Sequence, residues 1–542
     1  MSKSAKTITT QLWGMANKLR GTMDASEYKN YILPFMFYKY LSERQEKYLD
    51  DIGLSDYYDL DENNNELEEY IKNIVEHLGY AIEPKYTWKS LVYRIQNHKV
   101  VASEFQDLFS SFEKNVKRNE ESKNDFEGVF ADVNLGDSRL GSNINERSSA
   151  LYDIIEMINE LEFKDDSGRD ILGDVYEYLI GQFAASAGKK GGEFYTPHEV
   201  SKILAKLVTH GVEDKGAQFR VYDLTMGSGS LLLTVQKELE FGERKGAVEF
   251  YGQELNTTTF NLARMNLLMH DVNYKNMTLR RGDTLTRDWP TRKKDGVDIP
   301  TLFDAVVANP PYSQKWDANL DKDPRFKAGM APKSRADYAF IQHGLYHLDR
   351  KGTMAIVLPH GVLFRGGSEA KIRKELILDN KLDAVIGLPA NLFYGTSIPT
   401  CILVYKGEDA KKTKDILFID ASKEFNKEKN KNVLTDEHID KIMKAYINRK
   451  FIDKYSYVAD LEEIKENDYN LNIPRYVDTF EEEEVIPLKD ILKEMKDIDS
   501  QIEESTKKLG EMMQDLTSEN KEQQQELDEF VKWLNSEKFE LK

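Results

Sequence analysis

Between residues 166 and 478, six short apolar runs alternate with helix-length segments. That alternation limits the folds open to this chain more than any other feature. The runs lie at 219–224, 248–253, 303–308, 354–358, 382–388 and 401–405 and are rich in β-branched and aromatic residues. Their near-continuous hydrophobicity is that of strands buried on both faces. Joined by helical crossovers, they predict a parallel sheet with helices on each side, a doubly wound α/β domain. Before this region the text is helical and charge-rich, with long amphipathic stretches at 12–49 and 151–163, and polar segments such as 115–124 read as loops or exposed helix. After it, Leu488, Ile491, Met495, Ile498, Ile502, Ser505, Leu509, Met512 and Leu516 fall at alternating steps of three and four. This seam predicts one long helix that packs against a partner chain, entered through a solvated hinge at 481–484. Three domains are expected: residues 1–165 helical, 166–478 α/β, and 479–542 a helical tail for subunit association.

A chain of 542 residues exceeds the usual single core. Its one cysteine excludes an internal disulfide and a cysteine-rich zinc site, which points to a reducing, cytoplasmic compartment. No apolar leader follows Met1, and the most apolar stretch, 31–41, is far short of the roughly 20 residues that span a bilayer. It reads as a buried helix, and no membrane association is expected. The formal net charge is −19, and residues 481–542 alone carry 19 acidic and 9 basic side chains. Such acidity argues against an unaided grip on DNA phosphates, and leaves open nucleic acid held through a local patch or a partner. Basic clusters are modest: Lys189-Lys190, Arg280-Arg281 and Arg292-Lys293-Lys294.

The first apolar run closes on Asp223-Leu224 and turns through Gly227-Ser228-Gly229-Ser230 into a helical segment. Glycines there admit positive φ and close approach of a ligand, which would meet amides at the positive end of the helix. The third glycine of the dinucleotide pattern is replaced by Leu232, which favours a nucleotide-like ligand without a pyrophosphate. Glu254, at the tip of the second run, is placed to accept from both hydroxyls of a ribose. Asp283 could sit near an adenine amino group. The third run passes directly into Asn309-Pro310-Pro311-Tyr312. Two prolines end the strand, fix φ twice and remove two donors. The Asn309 side-chain oxygen and the Pro310 carbonyl can then accept both hydrogens of an NH2 group conjugated to a ring or carbonyl. That pulls the nitrogen toward tetrahedral geometry and restores its lone pair as a nucleophile. Tyr312 offers a face on which a planar group can stack.

Asn309-Pro310-Pro311-Tyr312 after the Gly227-Ser228-Gly229 loop resembles the amino-group methyltransferases that use S-adenosylmethionine. Gly192-Glu193-Phe194-Tyr195-Thr196-Pro197-His198 resembles the cofactor segment that lies N-terminal in the γ class of DNA adenine methyltransferases. Residues 336–343, 358–364 and 388–393 are similar to the modification subunit of type I restriction–modification systems, and the resemblance covers about residues 5–480. The chain departs from it at Thr225-Met226, where relatives often carry proline and a small residue. The resemblance implies a Rossmann-like methyltransferase domain with an N-terminal α-helical domain and a C-terminal long helix or coiled coil. It implies a site-specific adenine-N6 DNA methyltransferase. Glu193, Phe194, Tyr195, Thr196, Pro197, Asp223, Gly227, Ser228, Gly229, Ser230 and Glu254 would hold S-adenosylmethionine, with Asp283 on its adenine ring and His198 matched by position only. Asn309 and Pro310, backed by Pro311, would accept from the amino group of a flipped adenine on which Tyr312 stacks. Double-stranded DNA, a specificity subunit gripped by two modification subunits, and a restriction subunit are the partners it implies. The same tetrapeptide also serves cytosine N4 and protein glutamine amides, and a scaffold with a degenerate cofactor fold is the non-enzymatic alternative. Cys401 lies in an apolar run after Thr400, a core position rather than the nucleophile that cytosine C5 methylation needs. The segment 187–190 is no Walker loop, so an ATP-driven motor is not expected in this chain, nor is a metal site.

Overall fold

The computed structural model describes residues 8, 14, 25–61, 64, 66–97, 100, 102–161, 163–164, 171–186, 195–212, 218–241, 248–318, 320, 322–393, 396–428, 431–479, 488–518 and 520–534. Residues 1–479 form one compact unit and 480–542 a second.

The strands of the first unit are β1 (Phe219–Asp223), β2 (Val248–Glu254), β3 (Met277–Arg281), β4 (Thr291–Lys294), β5 (Val297–Pro300), β6 (Phe303–Ala308), β7 (Leu348–Pro359), β8 (Leu382–Gly387), β9 (Thr400–Lys406), β10 (Ile416–Asp420), β11 (Asn426–Lys427), β12 (Asn432–Val433) and β13 (Ser456–Ala459). Nine of them make one sheet in the order β13-β10-β8-β9-β7-β6-β1-β2-β3, while β4 pairs with β5 and β11 with β12. Alternate residues of each central strand enter different cores. Val221, Ala305 and Val307 join one, and Tyr222, Val306 and Ala308 join the other, so the sheet is covered on both faces. The sheet is mixed, however, and not parallel throughout as the strand pattern predicts. β9 runs antiparallel to both β7 and β8, and β13 antiparallel to β10. A strand buried on both faces has the same hydrophobic text in either direction, so the pattern of 401–405 could not reveal its reversal.

The N-terminal helices continue the core of one sheet face. Helix Ala25–Asp51 carries the apolar stretch 31–41, buried along its whole length. Polar contacts fasten this region to helix Thr257–Met269, which follows β2. Arg264 donates to the carbonyls of Asn124 (3.1 Å) and Glu127 (2.8 Å), and the Tyr40 hydroxyl donates to that of Leu268 (2.7 Å). Among the described residues, no helix is long and apolar enough to cross a membrane.

Among the described residues the second unit holds two helices, Leu488–Gln514 and Lys521–Leu534, where the seam predicts one. The break is local chemistry. Ser518 accepts from the Asn520 amide (3.2 Å) and Asn520 from that of Glu522 (3.0 Å), so two short polar side chains cap a new helix start instead of continuing the old one. Leu516 therefore lies past the end of the first helix. The expected hinge at 481–484 lies outside the described residues.

Candidate active site

From β1 the chain moves outward through β2 and β3, then returns to lay β6 against the other edge of β1. Where strand order reverses in this way, a crevice opens at the carboxyl ends of the strands. Asp223 ends β1, Glu254 ends β2, Asp283 follows β3 by two residues, and Asn309 is the first residue after β6. All four line one cavity of about 570 Å³, together with Thr196, Gly227, Ser228, Ser230 and Pro311. This is the size of a small-molecule site.

The turn after β1 is built on glycine. Gly227 and Gly229 have φ of 55° and 77°, and a Cβ on Gly229 would come within 2.9 Å of Leu267. Asn266 steadies the turn by donating to the Ser228 carbonyl at 2.9 Å. Each carboxylate is aimed by backbone amides: Asp223 accepts from Thr225 (3.0 Å), Glu254 from Gly227 (3.2 Å) and Asn256 (2.8 Å), and Asp283 from Leu285 (2.9 Å). A carboxylate has about four acceptor sites, so capacity for a ligand remains. Burial pushes the Asp223 carboxyl up to about 7, opposed by the Thr225 amide and assisted by the nearby charge of Glu254. Burial raises Glu254 as well. Thr225 Oγ1 and Gln253 Nε2 are buried without a hydrogen-bond partner, and both residues border the cavity. Orphaned polar atoms beside carboxylates suit a polar, nucleoside-like ligand.

At the other end of the cavity, both ends of the Asn309 amide are engaged. Nδ2 donates to Thr196 Oγ1 at 3.1 Å, and Oδ1 accepts from the Tyr312 hydroxyl at 2.9 Å. Pro310 is buried, Pro311 and Tyr312 are half-buried, and the Tyr312 ring meets Phe393 edge-on at 6.0 Å. Two residues that sequence reasoning did not single out fix the turn beyond. Asp337, fully buried at the start of helix Asp337–Tyr346, accepts from the Ser313 amide (2.9 Å) and from Arg365, which also binds Glu369 at 2.6 Å. The available signal was an acidic residue opening a helix after a polar loop. Behind the cavity, Arg325 donates to His343 Nδ1 (3.1 Å), whose Nε2 meets the Tyr222 hydroxyl (2.9 Å), which donates to Gln253 (3.0 Å). Asp288, His343 and His347 lie close enough together to suggest a metal site. The Arg325 guanidinium already fills the position beside His343, so the cluster works as a hydrogen-bond relay.

The family model for N-6 DNA methylases matches residues 167–485, and that for the HsdM N-terminal domain matches residues 8–158. The chain belongs to the N-6 DNA methylase family. The MpnII type I restriction enzyme methylase subunit of Mycoplasma pneumoniae is 37% identical, over 92% of this chain and 95% of its own length. The MjaVIII methylase subunit of Methanocaldococcus jannaschii is 33% identical, over 87% of this chain and 78% of its own. The crystal structure of a type I restriction–modification methyltransferase subunit from Streptococcus thermophilus matches with a TM-score of 0.79 at 44% identity, covering 88% of this chain and 100% of that one. This methylase subunit is therefore an adenine-N6 DNA methyltransferase that uses S-adenosylmethionine and serves as the modification subunit of a type I system, alongside other subunits. The cytosine-N4 and glutamine alternatives are not favoured.

The remaining residues expected at the methylase site differ in where they lie. Within the segment 193–198, Thr196 reaches the cavity, Tyr195 is half-buried, Pro197 is buried, and His198 is exposed at the start of helix His198–Thr209. Glu193 and Phe194 lie outside the described residues. Gly229 shapes the turn without bordering the cavity. Cys401 is fully buried in β9, where burial raises its thiol far above the usual range, as a core position requires.

Proposed function

We propose that Asn309 and the Pro310 carbonyl accept the two amino hydrogens of the target adenine in this methylase subunit. The observation that carries the reading is the fixed Asn309 amide. With Nδ2 committed to Thr196, the oxygen end is held on the Tyr312 side, and a second lone pair on Oδ1 is available to an N6–H. Accepting both hydrogens draws the nitrogen toward tetrahedral geometry, and Pro311 stiffens the turn that presents the pair. Tyr312 gives the flipped base an aromatic face. S-adenosylmethionine supplies an activated methyl group on a sulfonium. Glu254 would take its ribose hydroxyls, Asp283 its adenine amino group and the Gly227–Ser230 turn its backbone contacts, with Asp223 and Thr196 also bordering the cavity that would hold it. Catalysis rests on positioning and electrostatics.

The same reading divides the chain into a helical domain (1–165), a methyltransferase domain (166–478) and an association tail (479–542). The limits of the two family matches and the exposed seam of the tail support it. Two such chains would grip one specificity subunit, joined by a restriction subunit in the full complex, in the cytoplasm. The direct test is Asn309→Ala in the assembled enzyme. Methyl transfer to DNA is expected to vanish while calorimetry finds cofactor affinity within about twofold of the parent. Transfer at near the parent rate makes the Asn309 assignment wrong.

A further inference from the structure

We infer that the loop joining Tyr312 to Asp337 is the surface that holds the DNA backbone beside the target base, an inference that rests on Asn309 as the point of transfer. Residues 313–335 carry six basic and three acidic side chains in a chain of net charge −19. One pair is internal: Arg325 is buried against Asp323 at 2.6 Å. Lys315, Lys322, Lys327 and Arg335 are exposed, and none has a carboxylate partner among the described residues.

Members of two of the basic clusters that stand out in the sequence are engaged elsewhere, while Arg292 and Lys294 stand exposed on β4. Lys293 pairs with Asp298 at 3.0 Å, Arg281 donates to Thr257 at 2.9 Å, and Arg280 lies over the Trp289 ring at 5.8 Å. Lys189 and Lys190 lie outside the described residues.

The loop's cations are held in place by its backbone. Its two legs are tied by the Trp316 amide to the Lys333 carbonyl (3.0 Å), the Trp316 indole to the Pro332 carbonyl (2.9 Å) and the Ala336 amide to the Gln314 carbonyl (2.9 Å). Those ties bring the backbones that carry Lys315 and Arg335 together at the foot of the loop, one turn from Tyr312. Lys315 borders the same cavity as Asn309. Further out, Arg325 anchors the loop to the cavity wall by donating to the carbonyls of Thr284 (2.8 Å) and Leu285 (3.0 Å). Cations fixed in this way meet a polyanion with little loop ordering left to do. Lys315, Lys322 and Lys327 are compact point charges that suit phosphate rather than base edges, so the loop positions the strand and leaves sequence reading to another element.

The test is the salt dependence of DNA binding by the full chain assembled with the specificity subunit of its own system. Each phosphate contact adds about 0.9 to the slope of log affinity against log salt. Lys315→Ala/Arg335→Ala is expected to lower the slope by about 1.5 to 2. Lys293→Ala, already neutralised by Asp298, is expected to leave it unchanged, and Lys327→Glu repeats the test on an exposed side chain whose loss cannot unfold the loop. A melting temperature within about 2 °C of the parent's checks that each variant is folded. Slopes equal to the parent's in both loop variants overturn the inference, as does an equal drop in Lys293→Ala. Failure of the underlying reading would look different: Asn309→Ala would still methylate, whatever the slopes.

Discussion

Asp223 and Thr196 each do work at the site that their sequence neighbours do not reveal. The Asp223 carboxyl is held up to about 7 by burial, against an ordinary value of 3.8. Between those values the folded chain keeps a proton that the unfolded chain releases, so this group's contribution to stability falls as pH rises from about 4 to 7. A ligand bearing sulfonium and ammonium charges reverses the preference, because it favours the carboxylate. Cofactor binding below pH 7 should then release a proton, with affinity weakening up to about tenfold per pH unit below 7 and flat above it. Calorimetry in two buffers of different ionisation heat would count the proton, and Asp223→Asn should remove the slope. A pH-independent affinity would exclude this role for Asp223. Thr196 supplies the acceptor that sets which way round the Asn309 amide lies. Thr196→Val removes about 1 kcal/mol of that preference, so kcat should fall about fivefold with cofactor affinity kept, and Thr196→Ser should restore it. If affinity falls by the same factor instead, Thr196 holds the cofactor rather than the asparagine. Asp223, Glu254 and Asn309 were legible in the sequence because each closes an apolar run. The roles of Asp337 and Arg325 were not, because the Ser313 amide, the Thr284 carbonyl and His343 that they hold are distant from them in the chain.

The same limit governs whole elements. The six apolar runs emerge as central strands of the sheet because burial on both faces writes itself into continuous hydrophobic text. β3 carries two arginines and only one buried residue at the sheet edge, so its five residues give no such text. β13, at the opposite edge, is half-exposed in its middle. β10 carries the same apolar text as the six runs and closes on Asp420 as β1 closes on Asp223, so it was legible in the sequence. The direction of β9 was hidden for the complementary reason, since its text is too uniformly apolar to have a direction. In the C-terminal unit the heptad spacing runs on through Leu516, yet Ser518 and Asn520 end the helix by capping the next one. Periodicity reports which face is apolar, and capping chemistry decides where the element stops.

At the scale of the molecule, the described residues of the C-terminal unit form no core of their own. In helix Leu488–Gln514 Gly510 is the one buried position, while Leu488 is 77% and Met512 71% exposed. Burying each such side chain is worth about 1.5 to 3 kcal/mol, so a partner helix laid along the seam would supply far more than the short pairing with helix Lys521–Leu534 does. Residues 1–479, by contrast, contain both hydrophobic cores of the sheet and every residue of the cavity. A chain ending at Thr479 should therefore unfold within about 2 °C of the full-length protein and bind S-adenosylmethionine with the same affinity, yet fail to co-purify with its specificity subunit. Thermal melting, calorimetry and co-expression read the three outcomes separately. Recovery of the truncated chain at full stoichiometry with that subunit would place the association surface within residues 1–479. A large drop in melting temperature would instead mean that the tail helps hold the catalytic unit together.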